Sequence, residues 1–290
     1  MNEVQLEING KTGTLKIPSC WNEVSKAAYP YLASLYLAKH LDKYQKTVGA
    51  FLLFCKEPCN KSKLERQLLP EEMYELLPLV DWVFDKVDLT INLIPVLSEL
   101  YWHIWRYNTK HLLGPDDGLK NLRFAEWILA DTFFCDYSLS QYDDAYRDEL
   151  LNKLVAVLYR PRGKGDDYTP GKPTYRGDQR EKFNDANIDI RAKQVARVPK
   201  YIRQAIYLWF ASCRQQIIAQ YPKVFDADEE DKNKNSLLSG FGWFGIYDDL
   251  RGDPKFGGPD RLEEEFVLTI FQSITRSSLK MDQFRRENKI

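Results

Sequence analysis

Residues 143–159, Asp-Asp-Ala-Tyr-Arg-Asp-Glu-Leu-Leu-Asn-Lys-Leu-Val-Ala-Val-Leu-Tyr, decide the fold class of this chain. Leu150, Leu151, Leu154, Val155 and Leu158 recur at three- and four-residue spacing, which lines one side of an α-helix with apolar groups. The preceding stretch, 119–137, has the same period through Leu122, Trp127, Ile128 and Phe134. Downstream, Ile202, Ile206, Trp209, Phe210, Cys213 and Ile217 repeat it across 188–221, with an interruption near Pro199 and an end at Pro222. Further out, Ala28, Leu32, Leu35 and Tyr36 predict a helix running to about Lys46, with Ser19 and Asn22, or Ser25, as caps. A second helix follows over about 47–56, before Pro58. Pro70 with Glu71 and Glu72 opens a helical segment to about Lys86 that Pro78 divides. A helix over roughly 93–110 carries Leu97, Tyr101, Ile104 and Trp105. The last runs from about Asp260 to Arg286, with Glu263, Glu264 and Glu265 at its start and Arg276, Lys280, Arg285 and Arg286 near its end, as the macrodipole favours.

The first residues follow a different period. Val4, Leu6 and Ile8 alternate, Asn9-Gly10 supplies a turn, Leu15 and Ile17 alternate again, and Pro18 closes the strand. The expected fold is therefore mainly α: a multi-helix globular protein with a short N-terminal β-hairpin. Its segments are the hairpin 1–18, a helical domain 19–159, a basic loop 160–187 and a C-terminal helical region 188–290 packed on the first.

Composition narrows the function classes. With 44% hydrophobic and 29% charged residues over 290 positions, the chain can build a sizeable core. Its formal charge of -1 gives no overall attraction to nucleic acid or anionic lipid. MNEVQLEING lacks a basic and apolar leader, and no apolar window approaches the roughly 20 residues that span a bilayer. A soluble cytoplasmic protein without membrane contact is expected. The five cysteines are an odd number, and Cys20, Cys55, Cys135 and Cys213 sit in apolar or aromatic surroundings, as reduced core cysteines do. Cys55 and Cys59 lack the second pair that a zinc site needs.

Motif by motif, catalysis and cofactors find little support. Gly240-Phe241-Gly242-Trp243-Phe244-Gly245 spells G-x-G-x-x-G, but polar residues precede it where a dinucleotide fingerprint needs a strand. It is read instead as a turn that lays Phe241, Trp243 and Phe244 onto a core or a partner. Gly10-Lys11-Thr12 sits in a hairpin, with Gln5 where a P-loop has its first glycine. Asp226, Asp228 and Glu230 alternate like calcium ligands, but Asp231 and Leu237 stand where the turn glycine and the bidentate Glu belong. His40, His103 and His111 fall in no metal or nucleophile spacing. No cofactor, no metal and no enzymatic activity are expected.

Charge is the strongest local feature. Across 159–203 there are twelve Lys or Arg against six Asp or Glu, a net of +6, so the remainder carries about -7. Tyrosines and Phe183 interleave the cations. The stretch 160–185, rich in Gly, Pro and charge, exceeds the usual length of an unpatterned loop, a property of functional or disordered segments. Arg160, Arg162, Lys164, Tyr168, Lys172, Tyr175, Arg176 and Arg180 are candidate partner-binding residues here. Phe241, Trp243 and Phe244 join them from the glycine-aromatic stretch. The mixture suits an acidic protein surface, nucleic acid held by phosphate contacts and stacking, or a solvated loop and helix face.

Three stretches carry a family resemblance: Ile17-Pro18-Ser19-Cys20-Trp21-Asn22-Glu23-Val24 after the hairpin, Leu122-Arg123-Phe124-Ala125-Glu126-Trp127 running to Leu154–Pro161, and Gly-Trp-Phe-Gly-Ile-Tyr-Asp-Asp-Leu (242–250) before the terminal helix. Together they resemble tail-associated accessory proteins of tailed phages and prophages from Bacteroidetes-type hosts, most of all tail assembly chaperones. The resemblance covers about half the chain. It implies a protein that binds a long tape-measure protein and recruits tail-tube subunits in the host cytoplasm, with no catalytic residues. The alternative is a nucleic-acid-binding accessory acting through 159–203.

Overall fold

A computed structural model describes residues 1–8, 11–57, 60, 70–97, 111–139, 143–225 and 237–288. The mainly α class holds. Strands β1 (Asn2–Ile8) and β2 (Lys11–Ile17) pair antiparallel with Ile8 opposite Lys11, around an Asn9-Gly10 turn that lies outside the described residues. By its contacts the chain divides into two units, Met1–Ile94 with Val198–Ser212, and Pro95–Arg197 with Cys213–Ile290. Among the described residues no helix is long and apolar enough to cross a membrane.

The first unit is built around Trp21. This fully buried indole meets Tyr29, Tyr36 and Trp82 edge-on at centroid distances of 6.3, 5.7 and 5.9 Å, the geometry that ring quadrupoles favour. Helix α1 (Tyr29–Leu37) ends before the predicted Lys46, because Asp42 starts a new helix, α2 (Lys43–Cys55). The Asp42 side chain accepts from Gln45 N and the Gln45 side chain accepts from Asp42 N, a reciprocal capping box that fixes the break. Helix α3 (Pro70–Leu76) passes into a 3₁₀ turn at Leu77–Phe84 beside Pro78. Asn60 stitches hairpin to helix: its side chain accepts from Lys16 N and donates to the Lys16 and Phe54 carbonyls. The segment 198–212 joins through Tyr29 Oη donating to Ala205 O at 2.6 Å and Trp209 Nε1 donating to Thr90 O at 3.1 Å.

In the second unit, the expected helix over 93–110 is corrected for the residues described. Positions 93–95 are not helical, and Val96–Leu97 form β3; 98–110 lie outside the described residues. β3 pairs with β4 (Leu112–Leu113), which pairs with β5 (Arg160–Pro161), all antiparallel. Helices α4 (Phe124–Ser138) and α5 (Asp144–Leu158) follow the predicted period, and Asp143 caps α5 by accepting from Tyr146 N. Helix α6 (Ile188–Val195) packs on α5, and α7 (Lys200–Gln220) starts just after Pro199. A short α8 (Pro222–Phe225) follows.

The glycine-aromatic stretch is also corrected: it is helical, within α9 (Leu237–Arg251), broken at Gly242 where φ is 51° and ψ is -132°. Only glycine adopts that backbone at little cost. The terminal helix is two, α10 (Pro259–Glu264) and α11 (Val267–Asn288), separated where Phe266 bridges Arg123. Trp243 stacks on Phe271 at 5.6 Å, meets Trp127 edge-on at 5.8 Å, and donates from Nε1 to Asp131 at 2.7 Å.

Two predictions follow from this packing. Replacing Asn60 with Ala strips both backbone groups of Lys16 of their side-chain partners, and should lower the unfolding free energy in urea by about 1–3 kcal/mol. Alkylation at pH 8, read by mass spectrometry, should modify exposed Cys135 in the native protein and spare Cys213, whose thiol burial pushes up to about 12.

Candidate functional site

The end of α5 is fully buried, so the chain enters the next segment from inside the core: Tyr159 has no exposure and Arg160 has 1%. A buried helix C-terminus leaves carbonyls without amide partners, and its dipole favours cations. Two arginines from downstream supply both needs. Arg180 Nη1 donates to Leu158 O at 2.8 Å and Arg191 Nη1 donates to Ala156 O at 2.9 Å. Glu126 stands in the first turn of α4, where the opposite end of a dipole favours a carboxylate. The ends of two helices thus prescribe the charges placed between them.

Those charges form one network. Arg160 Nη2 lies 2.6 Å from Glu126 Oε1 and 3.2 Å from Asp178 Oδ2. Arg180 Nη2 lies 2.8 Å from Asp178 Oδ2 and 3.1 Å from Glu126 Oε2, and its Nε reaches Asp178 Oδ1 at 3.0 Å. Arg160 Nη1 also donates to Glu181 O, and Arg191 pairs with the Glu181 carboxylate at 3.0 Å. Three cations meet three carboxylates, two of them buried and the third, Glu181, reaching in from the surface with its side chain 37% exposed. Burial pulls the Arg160 guanidinium down, to about 10, against the attraction of Glu126, and it remains charged at neutral pH. Burial acts on Arg180 in the same sense, but Glu126 and Asp178 outweigh it and hold that group above its ordinary value. Two atoms stay unsatisfied: Arg160 Nε has no acceptor, and Glu126 Oε2 accepts no hydrogen bond despite its nearness to Arg180.

The network ties 160–183 down at both ends. Gly163 N donates to Gln179 O, Glu181 N donates to Pro161 O, and Arg162 bridges Arg180. A Cβ on Gly163 would sit 2.2 Å from the Tyr168 ring, so that ring lies directly on glycine backbone. Of the sequence candidates, Arg160 and Arg180 are interior, so neither is displayed on the surface to a macromolecule. Arg162, Lys164, Lys172 and Arg176 are exposed, while Tyr168 and Tyr175 are half-buried. Arg176 pairs with Asp167 at 3.1 Å and Glu264 at 3.6 Å, and Lys172 reaches Asp166 at 3.9 Å. Trp243 is half-buried against Trp127 and Phe271, Phe244 is 60% exposed, and the Phe241 side chain lies outside the described residues.

Arg160 and Arg180 also line a cleft of about 340 Å³, with the further candidates Tyr168 and Arg176 and with residues that the sequence did not single out for binding. Arg123, Arg176 and Lys182 contribute cations, and Asp260, Glu263 and Glu264 on α10 contribute acids. Arg123 stacks over the Phe266 ring at 3.8 Å and donates to the Glu264 and Arg176 carbonyls. The available signals were faint: Glu126 lies between Phe124 and Trp127 on an apolar stretch, and Asp178 lies two residues before Arg180. Among the described residues no cluster of three or more His, Cys, Asp or Glu is arranged to hold a metal.

Removing one member of a buried pair leaves the other charge uncompensated. Glu126→Ala should therefore cost about 3–5 kcal/mol in urea unfolding, against less than about 1 kcal/mol for the exposed pair mutant Lys172→Ala.

No protein-family model, curated protein or solved structure matches the chain.

Proposed function

We propose that this chain is a protein-binding assembly factor that works without turnover, and that it is a tail assembly chaperone of the kind its sequence resembles. In that reading it acts in the host cytoplasm and holds a tape-measure protein while tail-tube subunits are recruited. The observation that supports a binding role is the pinned basic segment. Arg162, Lys164, Lys172 and Arg176 point outward from backbone fixed at both ends by the buried network. A surface ordered before contact loses less entropy on binding, and Arg with Tyr contributes heavily to interface energy. Phe244, 60% exposed, offers a second apolar contact.

A nucleic-acid role through 159–203 is the weaker reading. Arg160, Arg180, Arg191 and Arg203 are buried, so part of the cationic excess seen along the sequence is withdrawn from phosphates.

Co-expression with the proteins that its neighbouring genes encode, which the reading expects to include a tape-measure and a tail-tube protein, tests it. The wild-type chain should retain one of them through affinity purification, and the double variant Arg162→Glu/Lys164→Glu should reduce retention by about tenfold. Absence of any retained partner, or retention that ignores the charge reversal, would contradict it. Tight DNA or RNA binding that collapses with salt would transfer support to the nucleic-acid reading.

A further inference from the structure

The cleft in the second unit has a property that neither a protein interface nor a nucleic-acid groove requires. Its acids come from two places, Asp178 and Glu181 beside the cations of the basic segment and three more on α10, of which Glu264 is already paired with Lys182 and Arg176. Cations and acids balance among the residues that line it, so it exerts no net pull on a simple anion such as phosphate. Nor does it favour a simple cation.

Three groups in it lack the partner their chemistry calls for. Arg123 is half-buried and donates only to carbonyl oxygens, with no carboxylate in ion-pair contact among the described residues. Arg160 Nε is buried without an acceptor, and such donors are ordinarily satisfied by water or ligand. Asp260 is exposed and forms no ion pair among the described residues. Glu263 beside it receives only the Tyr247 hydroxyl, at 2.7 Å. Phe183, whose ring lies 5.7 Å from the Arg160 guanidinium, gives the cleft an apolar wall.

We propose that this cleft binds a zwitterion of amino-acid to dipeptide size, with its carboxylate at Arg123 and Arg160, its methylenes along Phe183, and its ammonium at Asp260 and Glu263. A volume of about 340 Å³ lies at the small end of ligand sites and suits such a molecule. The site is independent of the assembly role, since it needs no macromolecular partner.

An isosteric series tests it by titration calorimetry on the full chain. 6-Aminohexanoate, with both charges, should bind one-to-one and saturate. Hexanoate and hexylamine, with one charge each, should bind at least about tenfold more weakly. L-Lysine should bind as 6-aminohexanoate does. Asp260→Asn, an exposed change that should leave the melting temperature untouched, should bring 6-aminohexanoate down to the hexanoate level. The proposal is overturned if neither 6-aminohexanoate nor L-lysine saturates, if hexanoate or hexylamine binds equally well, or if Asp260→Asn changes nothing.

Discussion

Two guanidinium groups and two carboxylates, almost wholly buried where α4 begins and α5 ends, organise the second unit. Arg160 and Arg180 face Glu126 and Asp178 with almost no exposure. Charges so placed gain stability only if every partner is present, because each ion has lost its hydration. The arrangement answers a prior problem. α5 ends inside the core with carbonyls that no amide can reach, and arginine is the side chain whose planar fork can serve a carbonyl and a carboxylate together. From that requirement follow the return of the chain at 178–181, the short β5 strand, and the fixed path of the basic segment.

The consequence for function is a division of labour among residues that look alike in sequence. Arg160 and Arg180 have structural roles, whereas Arg162, Lys164 and Lys172, a few positions away, face solvent. The basic excess of 159–203 is therefore two populations, one neutralised in the interior and one displayed. A displayed population on pinned backbone suits recognition of another macromolecule, and the adjoining cleft offers a separate, smaller and electrically balanced site.

How far the sequence foretold this depends on the range of the interaction. The helices α4 to α7 were legible because their apolar spacing is local, and Pro199 and Pro222 bound them as expected. The hairpin was legible from alternation around Asn9-Gly10. The break between α1 and α2 was written in Asp42 and Gln45, whose capping box outweighs the continuous apolar period around it. β3, β4 and β5 hold two residues each, too short for any periodicity to register. The glycine-aromatic stretch is helical despite its three glycines because Trp243 packs against Trp127 and Phe271, contacts far apart in sequence. The burial of Arg160 and Arg180 was least legible of all. Glu126 lies thirty-four residues before Arg160, and nothing local distinguishes a paired interior arginine from a solvated one.

Amide hydrogen exchange across 160–187 addresses the central claim, that a buried ion network fixes this segment. If it does, the amides of Gly163, Arg176 and Glu181, bonded to Gln179, Asp167 and Pro161 carbonyls, exchange far more slowly than free peptide amides, and lose that protection in Glu126→Gln. Exchange at the free-peptide rate in the native chain, or protection indifferent to Glu126, would contradict it.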